Sequence, residues 1–460
     1  MRRLMTCGAL VFITLSRLSA QDPLAVAVDS IARDVLRQTG VPSASLAVVR
    51  DGKVVYVQAY GDARIDGHIA ATTSMRYSIG SISKQFCAGA VLLLVQEGKL
   101  SLDDPVSKYF PDLTRAGEVT IRELLSHTSG YQDYWPQDYV MPAMLDSTTA
   151  RQIVDRWAKI PLDFDPGTRW QYSNTNYVIA GMIVEKVSGM AFFDFLRTRV
   201  LNPLGMESVK NIDMGRLPDS DPTGYMRYAL GPARPAPKEG KNWLFAAGEL
   251  AMTPSDLAKW DIAMMNESLL APSSYRTMET EVLLKSGAGT GYGLGVDVGM
   301  QDGHRAISHG GEVSGFTAEN VVFPDDHAAV VVLTNQDAAA ASGAIARQIG
   351  ARLFTTEDVS AHAHEAQARQ IFEGLQKGTI DRSLFTGNAN FYFNAQALAD
   401  FSSSLAPLGP PTAVVQVSRS LRGGMVLRVY QLRFAQGRGV RAWTFEMPDG
   451  KLEQYQVASN

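Results

Sequence analysis

Ser81-Ile82-Ser83-Lys84 opens an apolar run, Gln85 to Gln96, that reads as a helix ending near Gly98. Residues three apart lie on one face of a helix, one above the other. The Ser81 hydroxyl and the Lys84 ammonium can therefore meet. A serine alone is a weak nucleophile at neutral pH, and a lysine becomes a base only when burial or a nearby cation lowers its pKa. The tetrapeptide occurs once in the chain. It predicts either an activated serine that forms an acyl-enzyme or a capping serine followed by a surface lysine.

Strands and helices can be read on both sides of it. Ala44 to Arg50 is strand-like, Asp51-Gly52 makes a turn, and Val54 to Tyr60 returns. Thr120 to Ser126 and Thr175 to Val187 read as helices, the second closed by Gly189. Thr253-Pro254-Ser255-Asp256 is a cap with proline at the first helical position, starting a helix to about Asn266. Ala318 to Phe323 and Ala328 to Thr334 flank Pro324-Asp325-Asp326 as a second hairpin, followed by a helix from Gly343 to Leu353. Strands at both ends with helices between them predict an α+β fold, with one antiparallel sheet built from both termini and covered by helices.

At 460 residues the chain is long enough for two domains. Residues 1–20 read as a secretory signal: Arg2 and Arg3 lead an apolar stretch, Leu4 to Leu15, and Ser19-Ala20 offers small residues before a cut. That predicts a secreted or periplasmic protein with no stable membrane span, because the stretch is short for a bilayer. Residues 21–355 form the main domain, 356–366 a polar, alanine-rich linker or helix lead-in, and 367–460 a small α+β unit. In that unit Gln370 to Leu375 and Ala395 to Leu405 read as helices. Thr412 to Ser418, Met425 to Phe434, Val440 to Met447 and Leu452 to Val457 read as strands. The pattern looks cystatin-like or NTF2-like, with a lipocalin-like barrel as the alternative. Its expected role is substrate restriction or self-association; the oligomeric state is not readable.

With 45% hydrophobic and 20% charged residues and a net charge of −4, the composition is that of a soluble globular protein and argues against nucleic acid as a partner. Removal of the signal leaves Cys87 as the single cysteine, which excludes an internal disulfide and suits packing as a small hydrophobe. No zinc-ligand spacing occurs, and no metal or cofactor is expected. His362-Ala363-His364 could ligate a metal, but it stands in the linker without a cluster around it. No Gly-x-Ser-x-Gly is present, which argues against an α/β-hydrolase nucleophile elbow.

An acyl-transfer site needs a proton relay and oxyanion donors beside the nucleophile. Tyr172-Ser173-Asn174 and His309-Gly310-Gly311 could supply them. Ser-x-x-Lys, then Tyr-x-Asn, then Lys/His-x-Gly, in that order, resembles the serine β-lactamase and penicillin-recognising hydrolase superfamily. Its nearest branches are the class C β-lactamases, the D-alanyl-D-alanine carboxypeptidases, the D-aminopeptidases and the family VIII esterases. Leu124 to Gly130, Ala247-Gly248-Glu249-Leu250 and Tyr292-Gly293-Leu294-Gly295 agree with the same family, over roughly Asp22 to Phe354. A second Tyr-x-Asn, Tyr392-Phe393-Asn394, falls outside the family order and reads as packing.

The resemblance implies that Ser81 attacks a carbonyl, that Lys84 and Tyr172 handle its proton, and that Asn174 hydrogen-bonds Lys84 or a substrate amide. It places the Ser81 and Glu312 backbone N–H groups in the oxyanion hole, with Gly310 and Gly311 allowing close approach of a strand. It puts His309 in the catalytic set with Ser81, Lys84 and Tyr172. Tyr172 could instead be a rim aromatic, Asn174 a helix cap, and His309 a structural histidine; His127 reads as structural. Histidine at 309, where class C β-lactamases carry lysine, predicts weak recognition of a β-lactam carboxylate and better turnover of esters or small amides. The expected function is hydrolysis of a peptide, amide or ester bond in a small-molecule or peptide substrate. The alternatives are class C-like β-lactamase activity or an inactive ligand-binding relative. Substrate choice is expected to lie with the loops Tyr131 to Met144 and Asp219 to Asn242.

Overall fold

A cap and a proline coincide at Asp22-Pro23, and helix α1 (Pro23–Thr39) starts there in the computed structural model. The Asp22 carboxylate accepts the Leu24 N–H, and Gly40 closes the helix at φ 69°. The sequence reading starts the fold at Ala44 and passes over this helix. The structure describes residues 22–354, 360–435, 437 and 439–459; the signal segment 1–20 lies outside them. The described residues form two compact units that divide between Phe354 and Thr355.

The first unit is built on an antiparallel sheet of seven strands. In chain order these are β1 (Ser43–Arg50), β2 (Lys53–Arg64), β3 (Ile69–Ala70), β4 (Asp297–Gln301), β5 (His304–Val313), β6 (Phe316–Phe323) and β7 (Ala328–Thr334), and they lie side by side as β3-β2-β1-β7-β6-β5-β4. Strand β1 pairs with β7, Leu46 opposite Val332, so early and late segments meet at the centre of the sheet. Both faces are covered, which is why β1 and β7 read as continuous apolar runs rather than alternating ones. On one face Leu46 and Val48 pack with Val28 and Val35 of α1 and with Ile345 and Ile349 of α5. On the other, Ala47 and Val49 join the large core that holds helices α2 to α4.

Those helices are α2 (Ser83–Gln96), α3 (Asn174–Ser188) and α4 (Pro254–Met265), with α5 (Ala341–Leu353) on the opposite face. Helix α2 is buried on almost every side, from Ser83 to Leu94, which fits its apolar sequence all round. Cys87 is among these residues, its thiol pushed up by burial.

The second unit carries α6 (Ala361–Gln376) and α7 (Ala395–Leu405) against a sheet of β8 (Ala413–Arg422), β9 (Met425–Arg433), β10 (Gly439–Glu446) and β11 (Leu452–Ser459). The strands follow one another in space, and among the described residues the sheet does not close, so it is not a barrel. Gly423 and Gly424, at φ 59° and 80°, make the two-residue turn between β8 and β9. The core is formed by Ile371, Phe372, Leu375, Tyr430, Leu432 and Tyr455, among others. Helix α6 starts inside the segment read as a linker; residues 361–366 are alanine-rich and contain no breaker, so the helix propagates through them. Residues 356–359 lie outside the described ones. His362 and His364 do not converge: one faces Glu365 at 3.2 Å and the other Glu446 at 3.1 Å.

Candidate active site

Ser81 sits in a tight turn, Gly80–Ile82, that runs into α2. Gly80 has φ +51°, and a Cβ on it would lie 2.6 Å from the Glu312 backbone nitrogen. Only glycine fits there. The turn is pressed against β5, and the same closeness recurs from the other side. A Cβ on Gly311 would lie 1.9 Å from the Ile79 carbonyl oxygen and 3.2 Å from the Ser81 nitrogen. The Ser81 and Glu312 backbone nitrogens therefore belong to two segments in contact. Gly310 differs from the expectation: its Cβ would meet nothing nearer than a Glu319 carboxylate oxygen at 3.4 Å, because its open side faces away from the turn.

One turn further on, the Lys84 side chain is fully buried. Its Nζ lies 2.9 Å from Ser81 Oγ, 2.8 Å from Asn174 Oδ1 and 2.9 Å from the Ala247 carbonyl oxygen. Burial pushes its pKa down to about 7, and the negative charge of Asp133 partly opposes this. A neutral amine has two hydrogens and one lone pair. The hydrogens match the two carbonyl-type oxygens, and the lone pair is left for the Ser81 hydroxyl.

Asn174 stands at the first position of α3, not at its cap; Ser173 is the cap residue and makes no side-chain cap bond. The reading of Asn174 as a cap fails because Asp133 takes that role. Its carboxylate accepts the Asn174 backbone N–H at 2.9 Å and the Asn174 Nδ2 at 3.3 Å. The second bond fixes the amide so that Oδ1 points at Lys84. Asp133 also accepts the Trp135 N–H. Burial raises its carboxyl pKa, and the backbone bonds and Lys84 work against that.

Tyr172 faces Ser81, and a hydrogen bond between them works against the rise that burial gives its phenol. Burial wins, and the phenol stays protonated at neutral pH. Lys84 Nζ lies 4.9 Å from the centre of its ring. Behind it, His127 stacks at 4.3 Å between ring centres. The His127 Nδ1 accepts the Ser173 N–H, so this histidine holds the Tyr172 segment by its backbone.

His309 is placed behind Tyr172, 6.3 Å between ring centres, and does not line the crevice. Both its nitrogens are engaged: Nδ1 with the Gly310 carbonyl oxygen at 2.5 Å and Nε2 with the Tyr292 hydroxyl at 2.8 Å. The carbonyl can only accept, so Nδ1 carries the hydrogen and Nε2 accepts from Tyr292. Burial and the neighbouring Lys84 push its pKa down to about 4. Ser81, Lys84, Tyr172 and Asn174 thus converge, while His309, expected among the catalytic groups, stands one layer back because Tyr292 and the Gly310 carbonyl hold both its ring nitrogens.

The crevice over Ser81 has a volume of about 460 Å³. Tyr134, Trp135, Tyr139, Val140, Leu244 and Val313 give it an apolar wall. Asp133, Asp138, Glu312 and Asp337 give it four carboxylates, and among the described residues no arginine or lysine lines it. Partial desolvation raises the Glu312 pKa, and Asp138 and Asp337 add to the rise. The loop from Tyr131 to Met144 supplies the longest continuous part of the lining, Asp133 to Val140, whereas, among the described residues, the other loop expected to choose substrate, Asp219 to Asn242, supplies none of it. Of the four, the sequence reading names only Glu312, and for its backbone N–H rather than its carboxylate; Asp133, just past the His127-Thr128-Ser129-Gly130 helix end, is the one that local context could have flagged. Among the described residues no group of three or more His, Cys, Asp or Glu could hold a metal ion, and no helix is long and apolar enough to cross a membrane.

Comparison with known proteins agrees on the first unit. The profile of the family described as Beta-lactamase matches residues 28–353. The chain is 28% identical over 300 residues to penicillin-binding protein 4* of Bacillus subtilis, covering 62% of this chain and 66% of that protein. It is 30% identical over 321 residues to a D-aminopeptidase of Cereibacter sphaeroides, covering 67% of this chain and 60% of that protein. The chain thus spans somewhat less than two thirds of the length of these curated relatives. Among solved structures, the D-amino acid amidase of Ochrobactrum anthropi SV3 complexed with D-phenylalanine superposes with a TM-score of 0.64 at 26% identity, covering 72% of this chain and 99% of that one.

Proposed function

The chain belongs to the Beta-lactamase family, and we propose that it is a serine hydrolase that cleaves an amide or ester bond of a small, amine-bearing substrate through an acyl-Ser81 intermediate. The observation that carries this reading is the Lys84 tripod. A buried amine with a pKa of about 7, held by two carbonyl oxygens, presents its lone pair to Ser81. In the reaction Lys84 takes the hydroxyl proton as Ser81 Oγ bonds to the carbonyl carbon. The bond to the leaving nitrogen or oxygen then breaks, and the proton passes to that atom by way of Lys84 and Tyr172. Water repeats the sequence on the acyl-enzyme and releases the acid. The Ser81 and Glu312 N–H groups are the oxyanion donors in this reading. Tyr172 acts as a neutral donor, which leaves Lys84 as the base.

The four carboxylates favour a substrate that brings a positive charge, such as a free amino group beside the scissile bond. Of the D-alanyl carboxypeptidase, D-aminopeptidase and esterase types, the D-aminopeptidase type fits this best, and the names of the D-aminopeptidase and D-amino acid amidase similar to it point the same way. The same carboxylates repel the carboxylate of a β-lactam, and neutral His309 offers it no cation. Labelling with a fluorophosphonate probe tests the acyl step: mass spectrometry is expected to find the adduct on Ser81 and none in Ser81→Ala. A protein that takes no label under any condition ends the proposal. Export of the chain, read from residues 1–20, belongs to the same proposal; N-terminal sequencing of protein recovered from outside the cytoplasm tests it.

A further inference from the structure

A second cavity, of about 210 Å³, adjoins the crevice and shares Val313 and Ser314 with it. Three cations from separate segments line it: Arg64 at the end of β2, Arg216 and Lys238. The Arg64 Nε is buried without a hydrogen-bond partner. Among the described residues neither Arg64 nor Arg216 has an ion pair, while the nearby Asp221 spends both oxygens on Arg76. Lys238 Nζ donates to the Ile212 carbonyl oxygen. Burial lowers its pKa, the carboxylates of Glu239 and Asp213 oppose that, and Arg216 adds a smaller push downward.

Arg64 and Arg216 both line the cavity, and among the described residues neither guanidinium makes a hydrogen bond or an ion pair; a guanidinium left unpaired beside a cavity is a place for an acceptor. We propose that this cavity is a carboxylate subsite that takes the anionic end of a small molecule between Arg64 and Arg216. The acids around it do not fill that place. Glu239 accepts the Ser314 N–H at 3.0 Å, and burial raises its carboxyl pKa; Asp219 stands exposed at the rim. With Asp221 committed to Arg76, the lining cations Arg64, Arg216 and Lys238 stand against Asp219 and Glu239, which leaves one positive charge for a single carboxylate to balance. The planar guanidinium fork suits that group. The shared wall, Val313-Ser314, is the continuation of the Glu312 strand, so the subsite opens beside the crevice rather than at a remote face.

The test needs no turnover, so it stands or falls apart from the acyl-Ser81 reading. Full-length Ser81→Ala protein is titrated calorimetrically, at constant ionic strength, with N-acetylglycine, with its neutral amide and with inorganic phosphate. Saturable binding of the acid, none of the amide, and about tenfold weaker binding of the acid after Arg216→Gln are expected. Arg216 is exposed, so that variant folds; Arg64→Gln, with its fold checked by circular dichroism, is expected to weaken binding in the same way. No saturable binding of N-acetylglycine, or equal binding in Arg216→Gln, overturns the proposal. Tighter binding of phosphate than of N-acetylglycine overturns the assignment to a carboxylate.

Discussion

Lys84 Nζ lies 2.9 Å from Ser81 Oγ, and among the described residues it forms no ion pair. The amine is thereby kept near neutrality, and its proton state sets the activity. With a pKa of about 7, kcat/KM for a non-titrating ester is expected to rise with pH through about 7 and level off above it. Asp133 holds the Lys84 pKa up against burial, so Asp133→Asn is expected to move the rising limb to lower pH. A limb that stays in place in that variant removes Asp133 from the electrostatics of the base.

The same burial works against the fold. The unfolded chain protonates Lys84 near its ordinary value of 10.5, while the folded one resists until about 7. Stability contributed by the neutral form is lost as pH falls from about 10.5 to about 7, and no further below that. Lys84→Met is therefore expected to abolish turnover yet melt no lower than the wild type. Its relative gain should be largest at and below pH 7 and shrink toward pH 10. Thermal melts across that range measure it, and a gain that grows with rising pH contradicts the argument.

Charge in the crevice can be titrated by substitution. Glu312→Gln and Asp337→Asn are each expected to raise KM for a D-amino acid amide with a free amine by about threefold to tenfold, and less for its N-acetyl form. Added salt should narrow the difference. Equal KM changes for the two substrates mean that the carboxylates do not read the amine.

The two glycines after His309 are expected to behave differently. Gly311→Ala drives a methyl group to 1.9 Å from the Ile79 carbonyl oxygen and must part β5 from the Ser81 turn. A loss of about 10² in kcat/KM is expected from that displacement. Gly310→Ala meets only a side-chain oxygen at 3.4 Å and should stay within about threefold of wild type. Steady-state kinetics of the two variants separate them.

Much of this site is visible in the sequence because its chemistry is concentrated in short, ordered stretches. Ser81 and Lys84 are one helical turn apart, and a helix makes that spacing a contact. The antiparallel sheet is likewise legible from the two hairpins, Ala44 to Tyr60 and Ala318 to Thr334, whose turns are marked by Asp51-Gly52 and Pro324-Asp325-Asp326. What is not legible is depth. Nothing at His309 says that Tyr292 and the Gly310 carbonyl will occupy both ring nitrogens and hold the ring behind Tyr172. Nor does anything at Asn174 say that a carboxylate from position 133 will displace it as the cap. The acidic crevice is assembled from residues 133, 138, 312 and 337, and convergence across such separations leaves no periodic trace. Helix α1 was legible too: Asp22-Pro23 caps it and Leu24, Val28, Ala32 and Val35 form an apolar stripe at helical spacing, which a reading that begins at Ala44 passes over.

The pairing of Ser43–Arg50 with Ala328–Thr334 at the middle of the sheet has a consequence for biosynthesis. A nascent chain that has emerged as far as the nucleophile and its base carries neither the strand that backs the oxyanion turn nor the one that seals the first hairpin's edge. Until Thr334 leaves the ribosome that edge is open to other chains. The site therefore cannot assemble before Thr334 has emerged, and a ribosome-bound fragment ending before that point is expected to be both inert and a client for chaperones.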